Sequence, residues 1–465
     1  MVQGKIILLG SLFSKIRSFK NLILPLLCVG YLFLVLPNIL WAQAEQWPWT
    51  FVGGNFQITN NFDGDFLPAI ASDNQNIYLA VWHRKTSSGF DIYGARITKD
   101  GKVLDKGEDQ IRICAADDDQ IIPSVVWDGE NFLVVWQDRR SGKRWDIYGA
   151  RVTPDGDVLD LDPEGISGKP ISIGKSSFDQ VAPSIFFNRE NYLVAWQGKR
   201  NSKTWNIYFK IFKSLEEAMG INPVQVNPSQ KDQGSPAVAF DGENYMIVWQ
   251  DKRNGNNWDI YGIKVTRSGA LPDNKKGVLI STTSPDSNIS GKDNWRPIIS
   301  WDGNFFLIIW MTSIENMNGS NGDVEKDVNW YLEGQRLSAD FGFVDPQTVS
   351  IQKGTTNKTF PDILWNGKEY LLVWEDNPEG EPKIFGAAII SQVNHFGISE
   401  SVQISSTVTP SDVKESLHPV VARIGEEALV VWQAKDPDDS WQIFGQRLKR
   451  LGTRSSSTGS TEWNL

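Results

Sequence analysis

The chain has 465 residues, a formal net charge of −10, 3 histidines and 2 cysteines. An acidic surface repels phosphate backbones and anionic headgroups, which argues against nucleic acid and anionic membrane as partners. So few cysteines and histidines exclude a disulfide scaffold and leave little material for a zinc site.

Residues 1–44 carry Lys5, Lys15, Arg17 and Lys20 and no acidic residue. An apolar stretch from Leu22 to Leu36, a Pro37-Asn38 break and Ala42-Gln43-Ala44 follow. That order of basic, apolar and small residues predicts a cleaved signal peptide, and hence export to the periplasm, cell surface or medium. The alternative is an uncleaved anchor, the one route by which this chain would touch a membrane. The apolar stretch is shorter than the ~20 residues of a spanning helix, and Cys28 lacks the small preceding residue of a lipoprotein site. Without the leader, 42 basic residues face 56 acidic ones, a net charge of −14, and Cys114 is the sole cysteine.

From residue 45 to 448 a single unit recurs seven times. Its clearest copy runs from Pro123 through Trp127-Asp128-Gly129, Phe132-Leu133-Val134-Val135-Trp136 and Trp145-Asp146-Ile147-Tyr148-Gly149 to Arg151. The Trp that ends the second apolar run recurs at positions 82, 136, 196, 249, 310, 374 and 432, a spacing of 53 to 64 residues. Such a long period marks a propeller or solenoid. In four copies the first run ends at an Asp-Gly or Asn-Gly turn, as in Pro236 to Gly242 and Pro361 to Gly367. These turns supply the positive φ of a tight hairpin. The second run, such as Met246-Ile247-Val248-Trp249, is continuously apolar and short, which predicts a strand buried on both faces. An Asp-Ile-Tyr-Gly run forms the third strand and a short apolar run the fourth. Seven such units predict an all-β, seven-bladed β-propeller of four-stranded antiparallel blades. Phe56-Gln57-Ile58-Thr59 precedes the first unit and resembles a fourth strand, whereas the seventh unit stops near Leu448. The N-terminal strand should therefore complete the last blade and leave no open sheet edge. The Ser/Thr/Gly-rich tail, 449–465, should be disordered.

Candidate ligand residues lie where the second strand turns into the third. Trp145, Trp205 and Trp258 open third strands beside a loop and offer stacking faces for sugars, whereas Trp residues inside strands read as packing between blades. The same loops carry Asp138-Arg139-Arg140 and Asp251-Lys252-Arg253, with Gly198-Lys199-Arg200 as a partial copy. Arg140, Arg200 and Arg253 would either form inter-blade ion pairs that fix the loops, the favoured reading, or line up as a strip for a carboxylate or sulfate. Blades 5 to 7 lose the pattern. The connections between blades are acidic, at Asp117-Asp118-Asp119, Asp179, Asp232, Asp286, Asp293 and Asp412. No Asp-x-Asp-x-Asp-Gly calcium loop accompanies them, so no metal and no cofactor is expected. His83, His395 and His418 show no metal-ligand spacing, and no nucleophile elbow or phosphate loop is present. A pair of catalytic carboxylates is a property of three dimensions that spacing does not reveal.

The phrase formed by Asp128-Gly129-Glu130-Asn131-Phe132, Val134-Val135-Trp136-Gln137-Asp138 and Asp146-Ile147-Tyr148-Gly149-Ala150-Arg151 resembles repeats of secreted bacterial β-propeller proteins. The resemblance spans residues 56–448. It implies the fold and an extracytoplasmic role, often beside adhesion or surface-anchoring modules, and no catalytic residues. The Ser-x-Asp-x-Gly-x-x-Trp turn of sialidases is missing, with Thr153-Pro154-Asp155-Gly156 as a superficial approach, and so is the Gly-rich docking pattern of quinoproteins. Complete coverage by repeats predicts a monomeric, non-catalytic module that binds a protein or glycan partner. The alternative is a glycan-acting hydrolase or lyase that uses acidic residues on the loop face.

Overall fold

The computed structural model describes residues 46–452 except 61–63, 161–168, 171–176, 200–202, 256, 273–275, 282–291, 319–324, 353, 355, 379, 406–412 and 414. The expected leader at 1–44, the tail from 453, Arg200, Asp286 and Asp412 lie outside the described residues. Among the described residues no helix is long and apolar enough to cross a membrane.

Seven antiparallel sheets follow one another, six of four strands and one, blade 6, with a fifth. In blade 2 the inner strand Gln120–Trp127 pairs with Phe132–Asp138, then Asp146–Val152, then a short outer strand at Lys169–Pro170. The first turn is fixed by Asp128, whose Oδ1 accepts hydrogen bonds from the Glu130 and Asn131 amides at 2.7 Å, while Gly129 takes φ +104°. Asn188, Asp241, Asp302 and Asn366 repeat this bond pair in other blades. The short side-chain oxygen substitutes for a backbone acceptor, which is why Asp or Asn is required there.

The core is seven clusters, each shared by two neighbouring blades. In the second strand of blade 2, Phe132, Val134 and Trp136 pack against blade 1, whereas Leu133 and Val135 pack against blade 3. This explains the continuous apolar run: alternate residues fill different cores. All seven repeat Trp side chains are at most 1% exposed. Each buries enough aromatic surface for roughly 4–6 kcal/mol of transfer free energy. In the third strand the repeated glycine admits the outer strand. A Cβ on Gly262 or Gly386 would stand 2.7 Å from Cδ1 of Ile280 or Ile404.

The ring closes as the sequence predicts. Trp49–Gln57 pairs with Trp441–Arg450 as the outer strand of blade 7, in register from Trp49↔Arg450 to Gln57↔Phe444. Ile58 then enters the core between blades 7 and 1 with Tyr78, Trp82, Val431 and Ile443. Deleting residues 46–58 exposes that core and frees a sheet edge. We expect the melting temperature to fall by about 10 °C or more; a calorimetric trace matching the intact chain would contradict this closure.

Candidate functional site at the channel mouth

Every inner strand carries a bulge at the residue preceding its proline. Leu67, Ile122, Ala182, Ser235, Arg296, Phe360 and His418 all adopt φ between +48° and +56°, and strand register shifts at each. Proline donates no ladder hydrogen bond and tolerates a bulge, so it fits here. Positive φ on a side-chain-bearing residue costs on the order of 1–3 kcal/mol and persists only where neighbours enforce it. The enforcing bond comes from the residue after each repeat Trp. Gln137 Oε1 accepts from the Ala182 amide, Gln197 from Ser235, Gln250 from Arg296 and Gln433 from Leu67, at 2.7–3.0 Å. One blade thus clamps the bulge of the next.

The bulges surround the mouth of the central channel, on the face where second strands turn into third strands. A cavity of about 660 Å³ is walled by Trp145, Trp205 and Asp179 and floored by Ile122, Ala182, Ser235 and Arg296. A second, of about 290 Å³, is lined by Leu67, Ile122, Arg296, Phe360, Asp362 and His418. Arg296 borders both.

Three repeat positions lie at or just behind this mouth, and each of blades 5 to 7 departs from the pattern at one or more of them. The bulge position is small or apolar except at Arg296 and His418. The residue after proline is Ala69, Ser124, Ser184, Ala237, Ile298 or Val420, but Asp362 in blade 6. The clamp is glutamine in four blades, Met311 in blade 5, His83 in blade 1 and Glu375 in blade 6. Glu375 keeps the clamp role: Oε1 accepts from the His418 amide and Oε2 from Thr359 Oγ1 at 2.8 Å. Glutamine would make the first of these bonds without a charge.

Enclosure sets the electrostatics. Burial raises Glu375, whose side chain is 6% exposed, to a pKa of about 7, although the His418 amide, Thr359 and Arg296 favour its ionised form. Burial likewise raises Asp362 to about 6, over the donations of the Val421 and Ile363 amides. His418 falls to about 3 through burial, Arg296 and His83, and His83 falls to about 4 through burial. Both imidazoles are therefore neutral at pH 7. His418 Nδ1 lies 3.5 Å from Glu375 Oε1 without being an ion pair, and its ring stands edge-on to Phe360 with centroids 4.1 Å apart. Arg296 sits over the same Phe360 ring at 4.3 Å. Water reaches its side chain in the channel, yet surrounding blades draw its pKa below the usual arginine value. Asp362 lines the smaller cavity, whereas Glu375 lies buried directly behind the His418 bulge that lines it. A carboxyl group raised towards neutrality is suited to proton transfer.

The residues singled out in the sequence are distributed unequally. Trp145 and Trp205 stand in the larger cavity wall; Lys199 Nζ lies 4.5 Å from the Trp205 ring centre. Trp258 lies under Lys252 at 4.7 Å and edge-on to Trp295, which is edge-on to Trp330. Arg140 is held by Asp138 at 2.6 Å and lies over Tyr148 at 4.0 Å. Arg253 is paired with Asp251 and lies over Tyr261 at 3.8 Å. The buried Asp138 and Asp251 also accept the Trp136 and Trp249 indole N–H at 2.9 Å. These guanidinium groups fasten each loop to its own blade; the pairs lie within one loop and do not bridge neighbouring blades, contrary to the inter-blade pairing expected from the sequence. Arg200 lies outside the described residues. Asp179, Asp232 and Asp293 accept the Trp145, Trp205 and Trp258 amides at 2.8–3.1 Å, so they position the stacking residues. Among the described residues no cluster of three His, Cys, Asp or Glu forms a cation site. Arg296, Asp362 and Glu375 escaped the sequence reading. Aligning the seven repeats column by column, before the proline and after the Trp, would have exposed them.

Glu375 has a folded pKa above its ordinary 4.5, so its ionisation disfavours the fold as pH rises from about 4.5 to about 7. Glu375→Gln restores the commonest clamp residue and removes that charge. Thermal scans should show the variant gaining stability relative to wild type across this interval, with a constant advantage above it. A variant less stable than wild type at pH 8 would refute this account.

No sequence family matches the chain, and no curated protein does. Solved structures do. The polysaccharide lyase Uly1 aligns over 90% of this chain and 95% of its own, at 11% identity and a TM-score of 0.51. A protein of unknown function from Dyadobacter fermentans aligns over 87% and 99%, at 11% identity and 0.45. The GH93 α-L-arabinofuranosidase of Fusarium graminearum, solved with arabinobiose, aligns over 86% and 99%, at 12% identity and 0.41. At such identities the likeness shows the fold alone: this chain is a seven-bladed β-propeller.

Proposed function

We propose that the protein is a glycan-acting hydrolase or lyase whose active site is the channel mouth. The observation that carries this reading is Glu375, a buried carboxyl held near pKa 7 in a clamp position where uncharged glutamine serves four other blades. A charge that folding does not need, and that the fold disfavours, points to chemistry. Glu375 then donates or accepts the proton at the scissile linkage, and Asp362 supplies the second carboxyl, which glycosidic-bond hydrolysis employs. The His418 backbone amide and Thr359 orient Glu375. Trp145 and Trp205 hold sugar rings against the cavity wall by stacking. The same fold carries glycan chemistry in a polysaccharide lyase, while the assignment rests on this chain's own residues. A purely binding role would use the Trp walls but gives no reason for two near-neutral carboxyl groups. The leader expected at 1–44 would deliver such an enzyme to glycans outside the cytoplasm.

The purified chain should release reducing ends or unsaturated products from at least one polysaccharide in a broad panel. On that substrate Glu375→Gln should lower kcat by about 10²-fold or more, whereas Trp145→Ala and Trp205→Ala should mainly raise KM. Full activity in folded Glu375→Gln would overturn the assignment.

A further inference from the structure

We infer that the channel mouth is an oxyanion site built on Arg296, and that the glycan it takes is acidic, bearing a uronate carboxylate or a sulfate ester. The identity of the carrier as a glycan rests on the function proposed above; the anion site rests on Arg296.

Several buried or half-buried arginines in this molecule are neutralised at contact distance. Arg84 closes on Asp65, Arg140 on Asp138, Arg253 on Asp251 and Arg336 on Asp345. Arg296 differs. Its backbone amide donates to Gln250, but among the described residues its guanidinium has no hydrogen bond and no ion pair, and it lies over the Phe360 ring. That contact uses none of its N–H groups, so donors suited to a planar oxyanion stay free. Glu375 lowers the cost of the cation from a distance without satisfying it. The guanidinium is exposed to the channel, so its unused donors face the opening, where an incoming oxyanion can take them.

Position specifies the rest. Arg296 borders both cavities, with the Trp-walled one on one side and Asp362 and His418 on the other. An anionic substituent on Arg296 would place its sugar beside Asp362 and the adjoining units against Trp145 and Trp205. The fold does not demand arginine here, because other blades carry Leu, Ile, Ala or Ser at the same bulge. With a net charge of −14 over residues 45–465, the protein as a whole does not attract anions, so local recognition has to come from such a group.

The test is calorimetric titration of the full chain carrying Glu375→Gln, in which turnover is slowed, against four probes. These are an oligogalacturonate, the same oligosaccharide after carboxyl reduction, a sulfated dextran oligomer and the unsulfated dextran oligomer. We expect a charged probe to bind more tightly than its neutral counterpart. Adding Arg296→Ser, which copies Ser235, should weaken the charged probe at least about thirtyfold and leave neutral probes unchanged, with Arg296→Lys intermediate. Which charged probe responds decides between carboxylate and sulfate. Equal affinity of the Arg296→Ser and parent proteins for both charged probes would overturn the anion site. Wild-type turnover, measured in parallel, separates the two proposals. Arg296-dependent binding without cleavage of any glycan removes the enzyme and keeps the site. Glu375-dependent cleavage of a neutral glycan, unaffected by Arg296→Ser, removes the site and keeps the enzyme.

Discussion

The structure depends on one constraint: each second strand is apolar on both faces and has to be covered from both sides. A sheet covers neither of its own faces, so each blade leans on two neighbours, and the seven cores form a cycle in which none is terminal. Closed repetition of this kind makes stability a sum of neighbour terms plus one closing term. The Trp in every second strand supplies the largest part of each neighbour term. The residue after it supplies register, because its side chain reaches the bulge of the next blade. Packing and alignment between blades are thus set by adjacent positions in one strand.

This arrangement divides the repeat into positions that hold the ring and positions that are free to differ. The turn Asp or Asn, the second-strand Trp and the third-strand glycine hold it. The bulge residue, the residue after proline and, through Gln-to-Glu exchange, the clamp are freer, and all three lie at or just behind the channel mouth. Blades 2 to 4 keep these positions neutral and bring Trp145 and Trp205 to the rim, while blades 5 to 7 bring Arg296, Asp362, Glu375 and His418. A sevenfold scaffold therefore carries an opening with one aromatic side and one charged side. The blades that lose the Asp-x-Arg loop pattern are those that acquire the channel charges.

How much of this the sequence revealed follows from the range of each signal. The blade is encoded locally, in Asp-Gly turns, short β-branched runs and a Trp every 53 to 64 residues, so the fold and the closing strand were legible. Trp145 and Trp205 were legible because an aromatic beside a loop is visible in one repeat. Arg296 and Glu375 are 79 residues apart and individually unremarkable. They matter because bulges from successive blades converge on one axis, which no single repeat displays. The near-neutral carboxyl groups were illegible for a related reason. A pKa raised by burial depends on what surrounds a group, and Asp362 and Glu375 look like ordinary strand carboxylates until the ring closes around them.

The closing strand has a consequence for how the molecule comes into being. Trp49 pairs with Arg450, so among the earliest propeller residues made are partners of the last. Throughout synthesis the N-terminal strand has no edge to join, and blade 1 has one face of its second strand uncovered. Intermediate blades form cores with neighbours as they emerge, but the first and seventh are completed in a single late event of very high contact order. Until that event the chain presents two apolar blade faces and a loose strand that fits the edge of any second copy's seventh blade. Folding of this protein is thus a race between closing on itself and exchanging strands with another molecule, and dilution favours the ring.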